Sequence, residues 1–379
     1  MSAPITIIGS GFAAYQLIKT IRRTDKLTAI SLFTADAGDD YNKPDLSHVF
    51  SKNQSASDLI KISSKQFASD FNVDLHPFSR VERIDRVEKN ITINGIKFTY
   101  SKLVLATGAD AFIPAIQGDA FTEIITLNSL AEYERSQSKL VQAKRIAIIG
   151  AGLIGTELAM DLKQSGKEVV VIDPCTSLMA NMLPEFVAHS LQKKMCKSGV
   201  VFELEQTVNA LNKVENGISV QLSSGVTHYV DCVISAAGLK VNTDLAKQAG
   251  LKLNKGIVVD LQLKTSDENI FAIGDCAEIN GKVMPFLQPI LLSANILAKN
   301  LSGEPAELKL TTMLVKVKTP LMPIQLAGDC VIRASRWQVD IDATGTTVKA
   351  FNEAEQMVGF VVTEERMKHA FPLLKQLNN

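Results

Sequence analysis

The sequence predicts an α/β protein made of two Rossmann-like nucleotide-binding units and a small C-terminal α+β part, and three observations carry that prediction. An apolar strand, Ile5-Thr6-Ile7-Ile8, runs directly into Gly9-Ser10-Gly11 and a helix start. The same order of strand, glycine turn and helix returns from Arg145 to Ala159, with Gly150, Gly152 and Gly155 in the turn. From about Leu310 the pattern changes to alternating segments such as Met313 to Lys318, followed by an amphipathic stretch from Arg366 to Leu377.

The bulk numbers agree with a multidomain enzyme. A chain of 379 residues is longer than the ~250–300 residues at which a single core stops growing. Its 46% hydrophobic and 21% charged residues describe a packed globular protein. Forty basic and forty acidic residues cancel, which gives no electrostatic case for nucleic acid or a membrane surface. The five cysteines form no Cys-x-x-Cys pair and no zinc spacing, as in a reduced compartment, so no metal site is expected. The N-terminus reads as a core strand rather than a signal peptide, and no apolar run reaches about 18 residues. The expectation is a soluble, cytoplasmic protein.

In the first unit, Gly9, Gly11 and Ala14 supply three different needs: a tight turn, close approach of backbone N–H groups to pyrophosphate, and close helix–strand packing. Ser10, Phe12 and Ala13 complete that turn and helix start. An acidic residue usually ends the second strand and binds ribose, but here the strand from Ala29 ends in Thr34, with Asp36 only nearby. Adenosine contacts are therefore expected from backbone or from Thr34 and Ala35. Leu103 to Leu105 is a buried strand that ends in Ala106-Thr107-Gly108, and the Pro/Gly-bearing link from Ile113 to Gly118 reads as a crossover.

The second unit is more complete. Gly150, Gly152, Leu153, Ile154 and Gly155 open its helix, and the strand Val169 to Ile172 ends in Asp173. A carboxylate there accepts from a ribose 2′-hydroxyl and repels a 2′-phosphate, and Pro174 and Cys175 are not the arginines that NADP would want, so NADH is expected. Cys232 to Gly238 is a further strand ending in small residues, where the chain crosses back. Ile270 to Ile273 then delivers Gly274 and Asp275 at a strand end, where a carboxylate can hold a ribityl chain or cap the turn that follows. The expected domains are 1–112 with 236–309, then 113–235, then 310–379.

Taken together, Gly9-Ser10-Gly11, Ala106-Thr107-Gly108, Gly150 to Glu157 and Ile270 to Asp275 resemble the pyridine nucleotide–disulfide oxidoreductase superfamily, with its glutathione-reductase-like pair of domains. Tyr41-Asn42-Lys43-Pro44-Asp45-Leu46-Ser47, Gly274-Asp275-Cys276-Ala277-Glu278 and Val317-Lys318-Thr319-Pro320 are most similar to the rubredoxin reductases within it. The resemblance implies FAD at the first site, NADH at the second and a C-terminal interface domain. It further implies Lys43 at the isoalloxazine, Val81 on adenine through its backbone, Glu157 near the nicotinamide and Lys318 beside the flavin ring. Phe286 and Leu287 join the FAD set and Gly238 the NAD set on the same ground. From the residues alone, Lys43 and Lys318 could also be ordinary surface lysines.

The superfamily's disulfide reductases need a Cys pair beside the flavin, and no cysteine precedes Cys175; Ser47 stands roughly where related oxidases carry their single redox cysteine. The cysteines read as small buried hydrophobes. His48, His76, His189, His228 and His369 read as structural, without companion carboxylates. Hydride transfer from NADH to FAD needs no acid or base, so positioning is the catalysis. The implied acceptor is the iron centre of a rubredoxin or of a nitric-oxide-reducing flavorubredoxin, met by a basic rim of Lys43, Lys52, Lys316 and Lys318. The missing dithiol favours a monomer. The alternatives are a ferredoxin reductase of an oxygenase system and an FAD- and NAD-binding protein without turnover.

Overall fold

The computed structural model describes residues 3–378 and divides into two compact units, one made of Met1–Lys43, Ser57–Asp110 and Leu239–Leu310, the other of Pro44–Ala56, Ala111–Gly238 and Thr311–Asn379. The first unit is built on a five-stranded parallel sheet in the order Ile270–Ala272, Lys102–Leu105, β1 (Ile5–Ile8), β2 (Ile30–Phe33), Asp74–His76. Ile5 pairs with Ile30 on one side and Lys102 on the other, so β1 is central. Every residue of β1 and β2 is buried, which is why both are mainly apolar, with only Thr6 and Ser31 polar, rather than alternating. Helix α1 (Phe12–Thr24) buries Ala13, Ala14, Leu17, Ile18 and Ile21, and packs against the helix Leu287–Leu301. Arg22, near its end, is buried, and its guanidinium donates to the carbonyls of Phe71, Thr28 and Asn72 at 2.6, 2.9 and 2.8 Å. A buried cation persists because those partners replace its water. Parallel pairing brings the carboxyl ends of β1, Lys102–Leu105 and Ile270–Ala272 to one edge, so their following turns meet there.

The second unit repeats the plan. Strand β3 (Arg145–Ile149), helix α2 (Leu153–Gln164) and strand β4 (Glu168–Asp173) belong to a parallel sheet in the order Val200–Leu204, β4, β3, Cys232–Ser235. An antiparallel three-stranded sheet, Val208–Val214, Gly217–Leu222 and Thr227–Val230, packs its apolar residues with those of β3 and β4. The C-terminal part is an antiparallel five-stranded sheet in the order Leu314–Val317, Ile324–Gly328, Met357–Thr363, Gly345–Phe351, Arg336–Asp342. The expected amphipathic stretch is a 3-10 turn, Glu364–His369, followed by the helix Ala370–Leu377, whose Ala370 and Leu373 bury against Ala327, Phe360 and Val362. No helix among the described residues is long and apolar enough to cross a membrane.

All five cysteines are free thiols. Cys232, Cys276 and Cys330 are buried as small hydrophobes, but Cys196 is exposed on a helix and Cys175 only half-buried, so that expectation fails for Cys196.

Candidate functional site

In the first unit, the turn from β1 to α1 is shaped by Gly9, at φ +106°, where a Cβ would lie 2.3 Å from the Ala106 carbonyl oxygen. Gly11 caps α1 without any side-chain bond, and nothing lies within 4 Å of where its Cβ would be. The first amides of α1 therefore open into free space at the positive end of a helix, a cradle that fits a pyrophosphate. Ala13 and Ala14 are buried, and their small side chains serve packing. Thr107 and Asn242 lock the neighbouring turn: the Thr107 hydroxyl donates to the Asn242 carbonyl at 3.0 Å, and Asn242 Nδ2 donates back to the Thr107 carbonyl at 3.1 Å. Thr34 and Val81 are buried, Ala35 is exposed, and Phe286 caps the helix that Leu287 opens.

Asp275 sits in the turn Gly274–Cys276, which Ile273 caps with no side-chain bond, so Asp275 does not act as an N-cap. Its carboxylate accepts no hydrogen bond among the described residues. The Lys43 ammonium stands 3.8 Å away. Burial pushes the Asp275 carboxyl above the usual range, and Lys43 offsets part of that rise. A largely buried carboxylate without donors is what a polyhydroxyl chain would satisfy.

In the second unit, Gly155 packs α2 on β3: a Cβ there would lie 1.9 Å from the Gly150 carbonyl oxygen. Gly152 caps α2 without a side-chain bond, with open space before it, followed by Leu153 and the exposed Ile154. Asp173 is tied to the same turn, since its Oδ2 accepts from the Ala151 amide at 2.6 Å and its Oδ1 from the Cys175 amide at 2.8 Å. Each oxygen keeps a second lone pair. Gly238 ends this part of the chain, and its carbonyl accepts from the Phe112 amide at 2.9 Å.

Glu157, on the first turns of α2, is buried and holds three segments of this unit together. Its Oε1 accepts from the Lys318 amide at 2.9 Å and its Oε2 from the Ser47 hydroxyl at 2.9 Å, with His48 Nε2 at 3.5 Å. Lys318 Nζ donates to the Pro44 carbonyl at 3.1 Å and stands 3.8 Å from Asp45. One helical turn on, the buried Asp161 accepts from the Phe50 amide at 2.7 Å, the Ser51 amide at 3.3 Å and the Ser51 hydroxyl.

Lys43 thus meets Asp275 in one unit, and Glu157 meets Lys318 in the other. Sequence reasoning missed Asp161 and the second role of Ser47, whose partners lie more than a hundred positions away. The expectation that the histidines lack companion carboxylates also fails, for four of the five. His76 lies 2.8 Å from Asp74, His228 2.9 Å from Glu203, His189 3.9 Å from Glu185 and His48 3.5 Å from Glu157. Two of these pairs were visible as i, i+2 along a strand and i, i+4 along a helix. No cluster of metal-ligating side chains occurs among the described residues.

Residues 3–294 match the pyridine nucleotide-disulphide oxidoreductase family, and residues 307–377 match a rubredoxin binding C-terminal domain. A protein of Aliivibrio fischeri named nitric oxide reductase FlRd-NAD(+) reductase is 56% identical, covering 100% of this chain and 99% of its own. Proteins of the same name are 50% identical in Vibrio vulnificus and 46% identical in Escherichia coli, again over 100% of this chain and 99% and 100% of theirs. Among solved structures, a ferredoxin reductase from Rhodopseudomonas palustris superposes with a TM-score of 0.89 at 24% identity, covering 100% of this chain and 96% of that one. A putidaredoxin reductase, solved in covalent complex with putidaredoxin, gives 0.90 at 20%, covering 100% and 93%. At those identities the likeness is one of fold.

Proposed function

Because the chain belongs to the pyridine nucleotide-disulphide oxidoreductase family, we infer that it is an NADH-dependent flavoprotein reductase that delivers electrons to a rubredoxin-type iron centre, carried by a rubredoxin or by the flavorubredoxin of a nitric oxide reductase. The observation that carries the reading is the rubredoxin binding domain over residues 307–377, in a chain whose relatives over their full lengths are named FlRd-NAD(+) reductase.

Bound FAD would supply the conversion between a two-electron hydride and single electrons, which is the cofactor's own chemistry. The chain binds and orients. The amides behind Gly11 hold the pyrophosphate, and Thr34, Ala35 and Val81 border the adenosine. Asp275 accepts from the ribityl hydroxyls, and Lys43 places positive charge at the isoalloxazine. Phe286, Leu287 and the turn Ala106-Thr107-Gly108 would complete the FAD site. The amides behind Gly152 hold the pyrophosphate of NADH, and Asp173 accepts from its ribose hydroxyls. Glu157 fixes the register of the Lys318 backbone, so that Lys318 presents its charge from a set position. No side chain has to move a proton at the reacting carbon, so alignment supplies the rate. We place the protein in the cytoplasm.

The test measures oxidation of NADH and NADPH by the flavin-loaded protein with three acceptors in parallel: a rubredoxin, a flavorubredoxin and a [2Fe–2S] ferredoxin. Fast NADH-dependent reduction of the first two supports the reading. A tenfold preference for the ferredoxin overturns it in favour of an oxygenase reductase.

A further inference from the structure

The β2 strand ends on the uncharged Thr34, yet a carboxylate reaches that place from two residues further on. Asp36 Oδ1 accepts from the Ser10 hydroxyl at 2.8 Å, the Thr34 hydroxyl at 2.6 Å and the Gly38 amide at 3.0 Å. Ser10 and Thr34 are themselves buried and 2.7 Å apart. The turn is held from α1 as well, because the Tyr15 hydroxyl donates to the Gly38 carbonyl. Asp36 Oδ2 has no hydrogen-bond partner among the described residues.

A turn-forming aspartate needs only the bond to Gly38. Here two further hydroxyls converge on the same oxygen, one from the middle of the phosphate turn and one from the strand end. The second unit supplies the comparison. There Asp173 is bonded to Ala151, the middle residue of its own Gly-x-Gly turn, and Ser10 is the residue in that place in the first unit. Each carboxylate is thus tied to the middle of its glycine turn, Asp173 through the Ala151 backbone amide and Asp36, two residues past its strand, through the Ser10 side-chain hydroxyl.

We propose that Asp36 is the ribose-binding carboxylate of the FAD site: Oδ1 is fixed by Ser10, Thr34 and Gly38, and Oδ2 accepts from an adenosine-ribose hydroxyl. The proposal rests on FAD occupying the first unit. It restores to that unit the grip that Thr34 cannot supply, and it explains why a serine stands in the phosphate turn, since the hydroxyl orients the acid.

Flavin-free wild type, Asp36→Ala and Asp36→Asn would be titrated with FAD and with FAD analogues lacking the 2′- or the 3′-hydroxyl of the adenosine ribose, following flavin fluorescence. Wild type is expected to bind FAD on the order of ten- to a hundredfold more tightly than one of the two analogues, as for a hydrogen bond to a charged group. Asp36→Ala should weaken FAD by a similar factor and no longer tell the two apart. Asp36→Asn keeps the size of the side chain and an acceptor for Gly38, and serves if the alanine variant folds poorly. A variant that binds FAD as tightly as wild type, or that weakens FAD and analogue equally while still telling them apart, overturns the assignment. Failure of wild type itself to take up FAD would sink the cofactor reading, and this one with it.

Discussion

Replacing Glu157 should loosen the second unit before it touches the chemistry. The carboxylate takes two hydrogen bonds at 2.9 Å, from the Lys318 amide and the Ser47 hydroxyl, at a site where the side chain is 5% exposed. A hydrogen bond to a charged group contributes about 1.5–3 kcal/mol, and a buried donor left unmatched costs a similar amount. Ser47 retains a bond to the Pro44 carbonyl at 3.1 Å, whereas no substitute acceptor stands ready for the Lys318 amide. Glu157→Ala should therefore lose roughly 3–5 kcal/mol. At about 2 °C per kcal/mol for a chain of this size, that lowers Tm by roughly 6–10 °C. Glu157→Gln keeps one oxygen for Lys318 and can donate to Ser47, so its loss should be about 1 kcal/mol. Calorimetry of the three proteins decides the matter, with NADH oxidation measured alongside. If Glu157→Ala melts within 1 °C of wild type, Glu157 does not join these segments, and any loss of turnover belongs to the nicotinamide instead.

Gly155→Ala places a methyl group 1.9 Å from the Gly150 carbonyl oxygen, so it should abolish NADH binding and sharply lower soluble yield, read by NADH titration. Asp173→Ala should raise the KM for NADH by on the order of tenfold, leave kcat nearly unchanged and narrow the preference over NADPH; an unchanged ratio would remove Asp173 from cofactor choice. Asp275 is a carboxyl whose folded-state pKa lies above its ordinary value, so its contribution to stability is present below the ordinary carboxylate range and is lost as pH rises through the raised value. Flavin-free Asp275→Asn should consequently melt above flavin-free wild type at neutral pH, with the gap closing in acid, while it binds FAD more weakly. Equal melting temperatures across that range would show that Lys43 fully compensates the buried charge.

What the residues disclosed follows from the reach of each interaction. Ile5–Ile8 and Arg145–Ile149 declare themselves because a buried parallel strand is predominantly apolar without alternation, and the glycines after them because a turn against a sheet excludes Cβ. The edge where Gly11, Thr107 and Asp275 gather follows from parallel pairing alone. The junction at Glu157 does not, since Ser47 and Lys318 lie 110 and 161 positions away and nothing local marks them as partners. Asp36 was in view and set aside because a strand-end rule was applied by position, whereas the turn after the strand bonds that carboxylate back to Ser10 and Thr34. His76 and His189 fall in the opposite class, as short-range pairings with carboxylates that periodicity already offered.

The two carboxylates on α2 also act as a gauge of length. Glu157 and Asp161 are four residues apart, so they point the same way about 6 Å from one another along the axis, and they grip Ser47 and the Phe50–Ser51 amides in matching order. Inserting or deleting one residue between them would swing one acid by about 100° away from its partners. This stretch of helix should therefore tolerate many changes of residue type on its other faces and almost none in length. A relative whose acids stand three or five apart would have to hold its 47–51 counterpart by other means.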